Sequence, residues 1–158
     1  MALALVRVDD RLIHGQIVAV WLKALGADGI LVVDDKTAKD EFLREVLELS
    51  APPGVPVEVM TVDEGITRVR EATESPKRVF VLLRSPIAAL RLHQAGVPFE
   101  VLNVGGLGAG PGRRQLYRNI SAGEQELEAM RELERRGVRV EFRIVPDDRP
   151  VSLASVKA

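Results

Sequence analysis

Short, continuous apolar runs alternate with helical stretches along the whole chain, and this alternation is the feature that most constrains the fold. Unbroken apolar runs, as opposed to apolar–polar alternation, are typical of parallel strands that are covered on both faces. The predicted strands are 3–8, 29–33, 56–60, 78–83, 100–104 and 138–145. The predicted helices are 15–25, 38–49, 63–73, 86–95 and 122–136.

Signals for helix ends support this assignment. Gly26, Gly96 and Gly137 each follow a predicted helix, as expected for left-handed C-terminal caps. Ser121 with Glu124 three residues later predicts a capping box for the last long helix. Strands that alternate with helical crossovers predict a three-layer α/β/α sandwich around a mostly parallel central sheet of about six strands. We expect one domain over residues 1–158.

Composition excludes several classes of function. The net charge is −1, which argues against a broad electrostatic interaction with nucleic acid or anionic lipid. The absence of cysteine excludes disulfides, thiol catalysis and thiolate-bound metals. No apolar run approaches the roughly 20 residues that a transmembrane helix needs, and MALALVRVDD does not read as a signal peptide. We therefore expect a cytoplasmic protein without cofactor or bound metal.

The stretch RVDDRLIHGQ (7–16) contains one of only two histidines and connects the first strand to the first helix. Ligands of open α/β sheets bind at the carboxyl ends of the strands, where this stretch is predicted to lie. His14 would stand just before a helix N-terminus, where backbone amides and the helix dipole favour an anion. Arg11 adds a planar donor for phosphate oxygens, and Gly15 permits close backbone approach.

Asp9 or Asp10 could hold one ring nitrogen of His14 and leave the other nucleophilic. These residue types suit a phosphoryl group carried on the imidazole. An alternative remains open from residue types alone: Asp9, Asp10 and Arg11 form an exposed turn, and His14 only caps the helix.

The stretch DDRLIHGQ (9–16) resembles the active-site loop of the IIB components of the mannose/fructose/sorbose family of the bacterial sugar phosphotransferase system. The similarity continues through GILVVDD, APPGV, LNVGGL (102–107) and NIS (119–121), which is placed at the opening of the last long helix. The resemblance implies a phosphotransferase that accepts a phosphoryl group from a IIA partner. The accepting atom would be Nδ1 of His14, and Arg11 would bind the phosphate. The group would pass to a sugar that enters through a IIC/IID permease, with the protein in the cytoplasm or peripheral at the membrane.

Further residues are expected to contact the phosphate or a partner. Gly15 and Gln16 open the first helix. NVGGLGAGPGRR (103–114) is read as a glycine-rich loop whose backbone can approach an anion, and it matches no nucleotide-binding pattern. Ser85 follows the fourth strand and could donate to phosphate or cap the next helix. The full set of such candidates is Gly15, Gln16, Ser85, Gly105, Gly106 and Arg113.

Two other functions use the same residues. His14 could report phosphorylation state to a partner without serving transport, or it could be a ligand contact in a flavodoxin-like module that binds a small anion. The chain does not specify the sugar, and a homodimer is an open alternative to a monomer.

Overall fold

The computed structural model of the chain describes residues 3–156, so residues 1–2 and 157–158 of the predicted domain lie outside the described part. Its strands are β1 (Leu5–Asp9), β2 (Gly29–Val33), β3 (Val57–Met60), β4 (Val79–Leu83), β5 (Val101–Gly106), β6 (Arg114–Tyr117), β7 (Ile120–Ala122), β8 (Arg139–Phe142) and β9 (Val151–Ser152). Its α-helices are α1 (Leu22–Leu25), α2 (Asp35–Ala38), α3 (Glu41–Glu48), α4 (Val62–Glu74), α5 (Pro86–Gln94) and α6 (Glu124–Arg135).

Seven strands form the central sheet in the order β3-β2-β4-β1-β5-β8-β9, and β6 pairs with β7 in a separate two-stranded sheet. All central pairs are parallel except the pair of β8 and β9. The predicted α/β/α architecture with a mostly parallel sheet is therefore confirmed. The six predicted strands correspond to β1–β5 and β8, and the short strands β6, β7 and β9 were not predicted.

Two apolar clusters cover the two faces of the sheet. Buried side chains of α4, α5 and α6 pack on one face. The opposite face is covered by a π-helical turn (Ile17–Trp21) and by α1, α2 and α3. The strands between these layers are buried on both sides, with β4 buried at every position, which explains why their sequences read as continuous apolar runs.

The predicted helix 38–49 is interrupted. The Asp40 side chain accepts a hydrogen bond from Leu43 N at 3.0 Å and starts α3 as a new helix, after α2 has ended at Ala38. An aspartate at this position satisfies a free backbone amide and favours a helix start over a helix interior.

The predicted capping box at Ser121 is wrong. Ser121 lies in β7, and its backbone amide donates to Leu107 O at 2.8 Å, so the chain stays extended there. The helix begins at Glu124 after Gly123, whose amide donates to the Glu126 side chain at 2.8 Å. The glycine caps after the helices are confirmed, with φ of +60° at Gly26, +98° at Gly96 and +93° at Gly137.

Strand β1 lies between β4 and β5. The connection after β1 leads to helical segments on one face, whereas the connections after β4 and β5 lead to the other face. This divergence opens a crevice at the carboxyl end of β1, which is where open α/β sheets bind their ligands. Among residues 3–156, no helix has the length and apolarity needed to cross a membrane.

Candidate active site

The carboxylate of Asp9, at the end of β1, is the point on which the site converges. Its Oδ2 accepts hydrogen bonds from His14 Nε2 at 2.9 Å and from Arg7 Nη2 at 3.2 Å. Its Oδ1 accepts from the backbone N–H of Arg11 at 3.1 Å and lies 3.6 Å from Arg11 Nε. Asp9 is fully buried, while Arg11 is largely exposed. One buried carboxylate therefore places both the imidazole and the exposed guanidinium.

A tight turn presents these two side chains at the surface. Leu12 adopts φ of +57°, which is uncommon for a leucine, and its amide donates to Asp9 O at 2.9 Å. The side chains of Leu12 and Ile13 are buried in the core and anchor the turn. His14 O then accepts from Val18 N at 3.1 Å, so helical geometry starts immediately after the histidine. Buried anchors thus hold a strained loop whose polar residues face outward.

The environment of Asp9 determines which ring nitrogen of His14 is free. Burial of the Asp9 carboxylate acts to raise its pKa, but the hydrogen bond from His14 and the charge of Arg7 outweigh burial and hold that pKa below its ordinary value. An ionised carboxylate accepts hydrogen bonds and cannot donate them, so the neutral His14 ring carries its proton on Nε2. Nδ1 is then the nitrogen with an available lone pair. The His14 side chain is 14% exposed, so the ring is held and still reachable.

The second acid of the motif has a different partner. Asp10 Oδ2 accepts a hydrogen bond from the backbone N–H of Gly108 at 2.8 Å. Arg113 donates to Gly108 O and to Glu126 Oε2, both at 2.8 Å. Asp10 and Arg113 therefore hold the segment after β5 from two sides, and of the two acids it is Asp9 that contacts the imidazole.

Gly105 and Gly106 lie within β5 and not in a loop, which differs from the sequence interpretation of 103–114. The register between β1 and β5 shifts at this point, since Val8 pairs with Val104 and Asp9 with Gly106. A Cβ on Gly105 would stand 2.0 Å from Arg7 Cζ, and one on Gly106 would stand 2.6 Å from Asp9 Oδ1. Both glycines therefore leave room for the buried side chains that support His14.

The remaining candidates lie at the same edge of the sheet. Gly15 and Gln16 are exposed at the start of the first helical turn. Ser85 follows β4, which pairs with β1, and its hydroxyl accepts from Ile87 N at 3.1 Å as the N-cap of α5. A phosphate contact by these three residues stays a prediction.

A groove of about 600 Å³ lies beside the histidine loop. Its walls include Asp10, Arg11, residues 106–110, Arg113, Gln115, Arg118, Asn119 and Ser121. Three of these side chains are arginines. Arg113 pairs with Glu126 and Arg118 with Asp148, so the exposed Arg11 is the cation best placed for an anionic ligand or partner. A larger cavity, of about 880 Å³, lies near Leu3, Phe99 and Arg139 and includes no residue of the histidine loop, whereas the smaller groove includes Asp10 and Arg11, so size alone does not locate the site.

Sequence reasoning missed one residue of this cluster. Arg7 is fully buried, and its guanidinium bridges Asp9 and Asn103 within the sheet. The available signal was a charged residue inside the apolar run LVRV, at a position where both neighbours are core residues. Among the described residues, no cluster of three or more histidine and acidic side chains is placed to hold a metal ion.

Comparison with known proteins gives consistent matches over nearly the whole chain. Residues 3–157 match the model of the family described as "PTS system sorbose subfamily IIB component". The chain is 35% identical over 153 residues to the sorbose-specific EIIB component of Klebsiella pneumoniae, a match that covers 97% of this chain and 93% of that protein. It is 36% identical over 148 residues to the mannose-specific EIIAB component of Escherichia coli K12, covering 94% of this chain and 46% of that longer protein.

The fold agrees with these matches. The crystal structure of the IIBSor domain of the Klebsiella pneumoniae sorbose permease superimposes with a TM-score of 0.90 at 35% identity. That alignment covers 97% of this chain and 94% of the other. The similarity therefore includes the histidine loop and the sheet edge that supports it.

Proposed function

The chain belongs to the sorbose subfamily of IIB components of the sugar phosphotransferase system, a family of phosphotransferases, and we propose that it accepts a phosphoryl group from a phosphorylated IIA partner on Nδ1 of His14. The hydrogen bond between His14 Nε2 and Asp9 Oδ2, at 2.9 Å, is the observation that carries this proposal. With the Asp9 carboxylate ionised, this contact supports a ring proton on Nε2 and a free lone pair on Nδ1.

The proposed transfer needs no cofactor, because the phosphoryl group passes directly from one histidine nitrogen to another. The lone pair of Nδ1 attacks the phosphorus, the Nδ1–P bond forms, and the N–P bond of the donor histidine breaks with its electron pair returning to the donor ring. The His14 ring gains positive character as this bond forms, and the Asp9 carboxylate stabilises it through Nε2–H. In the second step a sugar hydroxyl oxygen attacks the phosphorus, the electron pair returns to Nδ1, and the hydroxyl proton leaves to a base on the permease side.

Arg11 is the proposed phosphate-binding side chain. Its backbone amide is fixed by Asp9 Oδ1, while its guanidinium is 56% exposed, so it can meet an incoming phosphoryl group. A guanidinium offers paired donors that match two phosphate oxygens, and phosphoryl transfer depends mainly on positioning and charge neutralisation. Gly15, Gln16 and Ser85 complete the proposed surface around the phosphate.

We propose that the IIA partner docks in the groove beside the histidine loop. Arg11, Arg113 and Arg118 line it, and a basic groove favours a partner surface that carries phosphate and acidic groups. The Escherichia coli relative is named as an EIIAB component, which supports a IIA donor for this chain as well. We further propose delivery to a sugar through a IIC/IID permease, with the protein in the cytoplasm or peripheral at the membrane.

A reconstituted cascade tests the proposal. Wild type, His14→Ala and His93→Ala are incubated with a phosphorylated IIA of this family, and acid-labile phosphate on the protein is measured. We expect label on wild type and on His93→Ala, and none on His14→Ala. His93 is the control because its ring packs against Phe99, away from the histidine loop. Equal label on His14→Ala would overturn the assignment of the acceptor.

A second arm separates transport from regulation. Membranes that contain a IIC/IID pair encoded with this protein are added with a panel of sugars, because the relatives named for sorbose and for mannose are about equally similar. Loss of label to one sugar supports the transport role. Label that persists with every sugar, while the same membranes accept phosphate from a known IIB, would contradict it and favour a regulatory protein.

A further inference from the structure

We propose that Arg7 is a positioning residue for phosphoryl transfer, a buried guanidinium that fixes the Asp9 carboxylate against the imidazole of His14. This inference rests on the proposed function of His14 and goes beyond the motif that identifies it. The motif begins at Asp9, whereas Arg7 lies two residues earlier within β1.

Four acceptors hold the Arg7 guanidinium in one orientation. Nη1 donates to Asn103 Oδ1 at 2.6 Å and to Arg143 O at 3.0 Å. Nη2 donates to Asp9 Oδ2 and to Ile144 O, both at 3.2 Å. The ring of Trp21 lies against the guanidinium, 4.6 Å from Cζ to the ring centroid, and its Nε1 donates to Ile144 O at 3.0 Å. Strands β1 and β5 and the segment after β8 are therefore all joined to the carboxylate that holds His14.

The backbone of β5 is shaped around this ion pair. The register shift that follows Val8 coincides with the close approach of Gly105 and Gly106 to Arg7 and Asp9. Any side chain larger than hydrogen at either glycine would overlap the guanidinium or the carboxylate. A register irregularity combined with glycine at a buried site is typical of backbone adapted to a specific side-chain arrangement.

Stability alone does not account for this pair. Arg7 and Asp9 are both fully buried, and Arg7 Nε has no hydrogen-bond partner among residues 3–156. Replacement of buried ion pairs by apolar residues of similar volume is often neutral or stabilising. Arg7 and His14 both donate to the same oxygen of Asp9, Oδ2. This shared acceptor supports a role for the ion pair in setting the protonation and tautomer of the His14 ring.

Arg7 can fill this role by balancing the negative charge of the Asp9 carboxylate. The phosphoryl group brings negative charge close to Asp9, and Arg7 offsets the charge of the carboxylate from the side away from solvent. Burial acts to raise the pKa of Asp9, and the nearby Arg7 charge helps to hold it below its ordinary value. Without Arg7, the Asp9 carboxyl would stay protonated to higher pH, or the His14 ring beside it would carry a proton on both nitrogens. Either change reduces the neutral Nε2–H form of His14 that leaves Nδ1 free.

The test compares Arg7→Gln and Arg7→Lys with wild type, and Trp21→Phe is the control. Trp21→Phe removes the Nε1 donor to Ile144 O but keeps an aromatic ring, so it perturbs the same buried cluster without changing the side chains of Arg7 or Asp9. The first readout is ¹⁵N NMR of the His14 ring in the unphosphorylated protein, which reports the fraction of neutral Nε2–H tautomer at pH 7. The second is the rate of phosphoryl transfer from phosphorylated IIA as a function of pH. Folding of each variant is checked by amide NMR.

We expect Arg7→Gln to have a reduced Nε2–H fraction and a pH–rate profile whose acid limb is displaced to higher pH. Its transfer rate should be about 10- to 100-fold lower, by analogy with the loss that follows removal of a residue that orients a metal-binding histidine. Arg7→Lys restores the charge without the fork, so it should recover part of both readouts. Trp21→Phe should lose stability and keep the tautomer and the pH profile of wild type.

A folded Arg7→Gln with the wild-type tautomer and pH profile would overturn the inference. If Arg7→Gln does not fold, Arg7→Lys decides, because one ammonium cannot bridge Asp9, Asn103 and two carbonyls, and unchanged readouts there would overturn it equally. The NMR readout needs no donor protein. Failure of wild type to accept phosphate would therefore count against the proposed function alone, whereas the tautomer would still report on Arg7.

Discussion

At the scale of single residues, the candidate site centres on Asp9, because this one buried carboxylate contacts the imidazole and two arginines. A buried acid is normally harder to ionise, and here its partners reverse that effect, which places its pKa below the ordinary value. The ionised form is therefore favoured in the folded state relative to the unfolded state. This preference makes folding stability depend on pH in a defined direction.

We predict that the stabilisation from Asp9 ionisation is present at neutral pH and is lost as the pH falls. The unfolded carboxyl has a pKa of about 3.9, so the contribution is complete above that value and disappears as the pH falls through the lower, folded-state pKa. Urea unfolding of wild type and Asp9→Asn at pH 7, 5 and 3 measures it. The difference in unfolding free energy should shrink toward pH 3, by about 1.4 kcal/mol for each unit of pKa displacement.

Glu124→Gln provides the control for this titration, since the Glu124 side chain is 78% exposed and its ion pair with Arg131 spans 3.5 Å at the surface. Its stability difference from wild type should stay within about 0.5 kcal/mol at all three pH values. A difference for Asp9→Asn that grows as the pH falls would contradict the account.

Arg11 gives a second prediction at this scale. Arg11→Lys keeps the charge and removes the planar pair of donors, so phosphoryl transfer should slow by at least about tenfold, the loss of about one hydrogen bond to a charged group. Stability should hardly change because the guanidinium is largely exposed. Transfer from phosphorylated IIA, quenched at successive times, measures the rate. Arg114→Lys is the matched control, because Arg114 is exposed at the start of β6. Equal rates for Arg11→Lys and wild type would remove Arg11 from the phosphate site.

At the scale of elements, the carboxyl end of β5 supports the loop after β1 through backbone shape. Asp10 N donates to Gly106 O at 3.0 Å, and Asp10 Oδ2 accepts from Gly108 N at 2.8 Å, so the two strand ends are joined on both sides of Leu107. The space over Gly106 is filled by the Asp9 carboxylate. The position of His14 therefore depends on a strand that does not contain it.

We predict that Gly106→Ala displaces Asp9 and lowers the transfer rate about tenfold or more, together with a loss of about 1–3 kcal/mol of stability from overpacking. Gly29→Ala, at the start of β2 and outside the groove, is the control, because a Cβ there would make only ordinary contacts with Pro56 O at 3.5 Å and Pro56 Cγ at 3.7 Å. Transfer assays and urea unfolding measure both variants. A fully active Gly106→Ala would show that the carboxylate does not need this space.

The elements that the sequence predicted are those whose burial follows a simple pattern. Strands covered on both faces read as apolar runs, and glycines with positive φ marked the helix ends. The hairpin of β6 and β7 and the edge strand β9 carry no such run: Arg114 and Gln115 are exposed, and β9 spans only Val151–Ser152. Their pairing depends on neighbours that are distant in sequence, which local patterns do not report.

For the candidate site, the motif placed His14 and Arg11 in one strand–helix connection, and the structure has both residues between β1 and the first helical turn. The choice between Asp9 and Asp10 depended on the alternation of side chains at the end of β1, and the sequence left it open. Arg7 and the space over Gly105 could not be predicted, since their meeting requires the register between β1 and β5. Contacts of this kind arise only when the sheet is assembled.

At the scale of the whole molecule, β1 lies between β4 and β5, and the connection after β1 leaves to one face of the sheet while the connections after β4 and β5 leave to the other. The groove beside the histidine loop is lined by Arg11, Arg113 and Arg118, on a protein whose net charge is only −1. In the proposed function it is therefore local charge at the carboxyl edge, and not the charge of the whole protein, that would attract a phosphorylated partner. The buried Arg7–Asp9 pair connects this surface to the interior of the sheet.

The central claim is that Asp9 fixes the ring so that Nδ1 of His14 carries the phosphoryl group. The most direct measurement is NMR of the phosphorylated protein, in which ³¹P and ring ¹⁵N signals identify the bonded nitrogen. The account predicts phosphate on Nδ1 of His14, with Nε2–H still hydrogen-bonded to Asp9, and no such signal in His14→Ala. Phosphate on Nε2, or on any other residue, would contradict it.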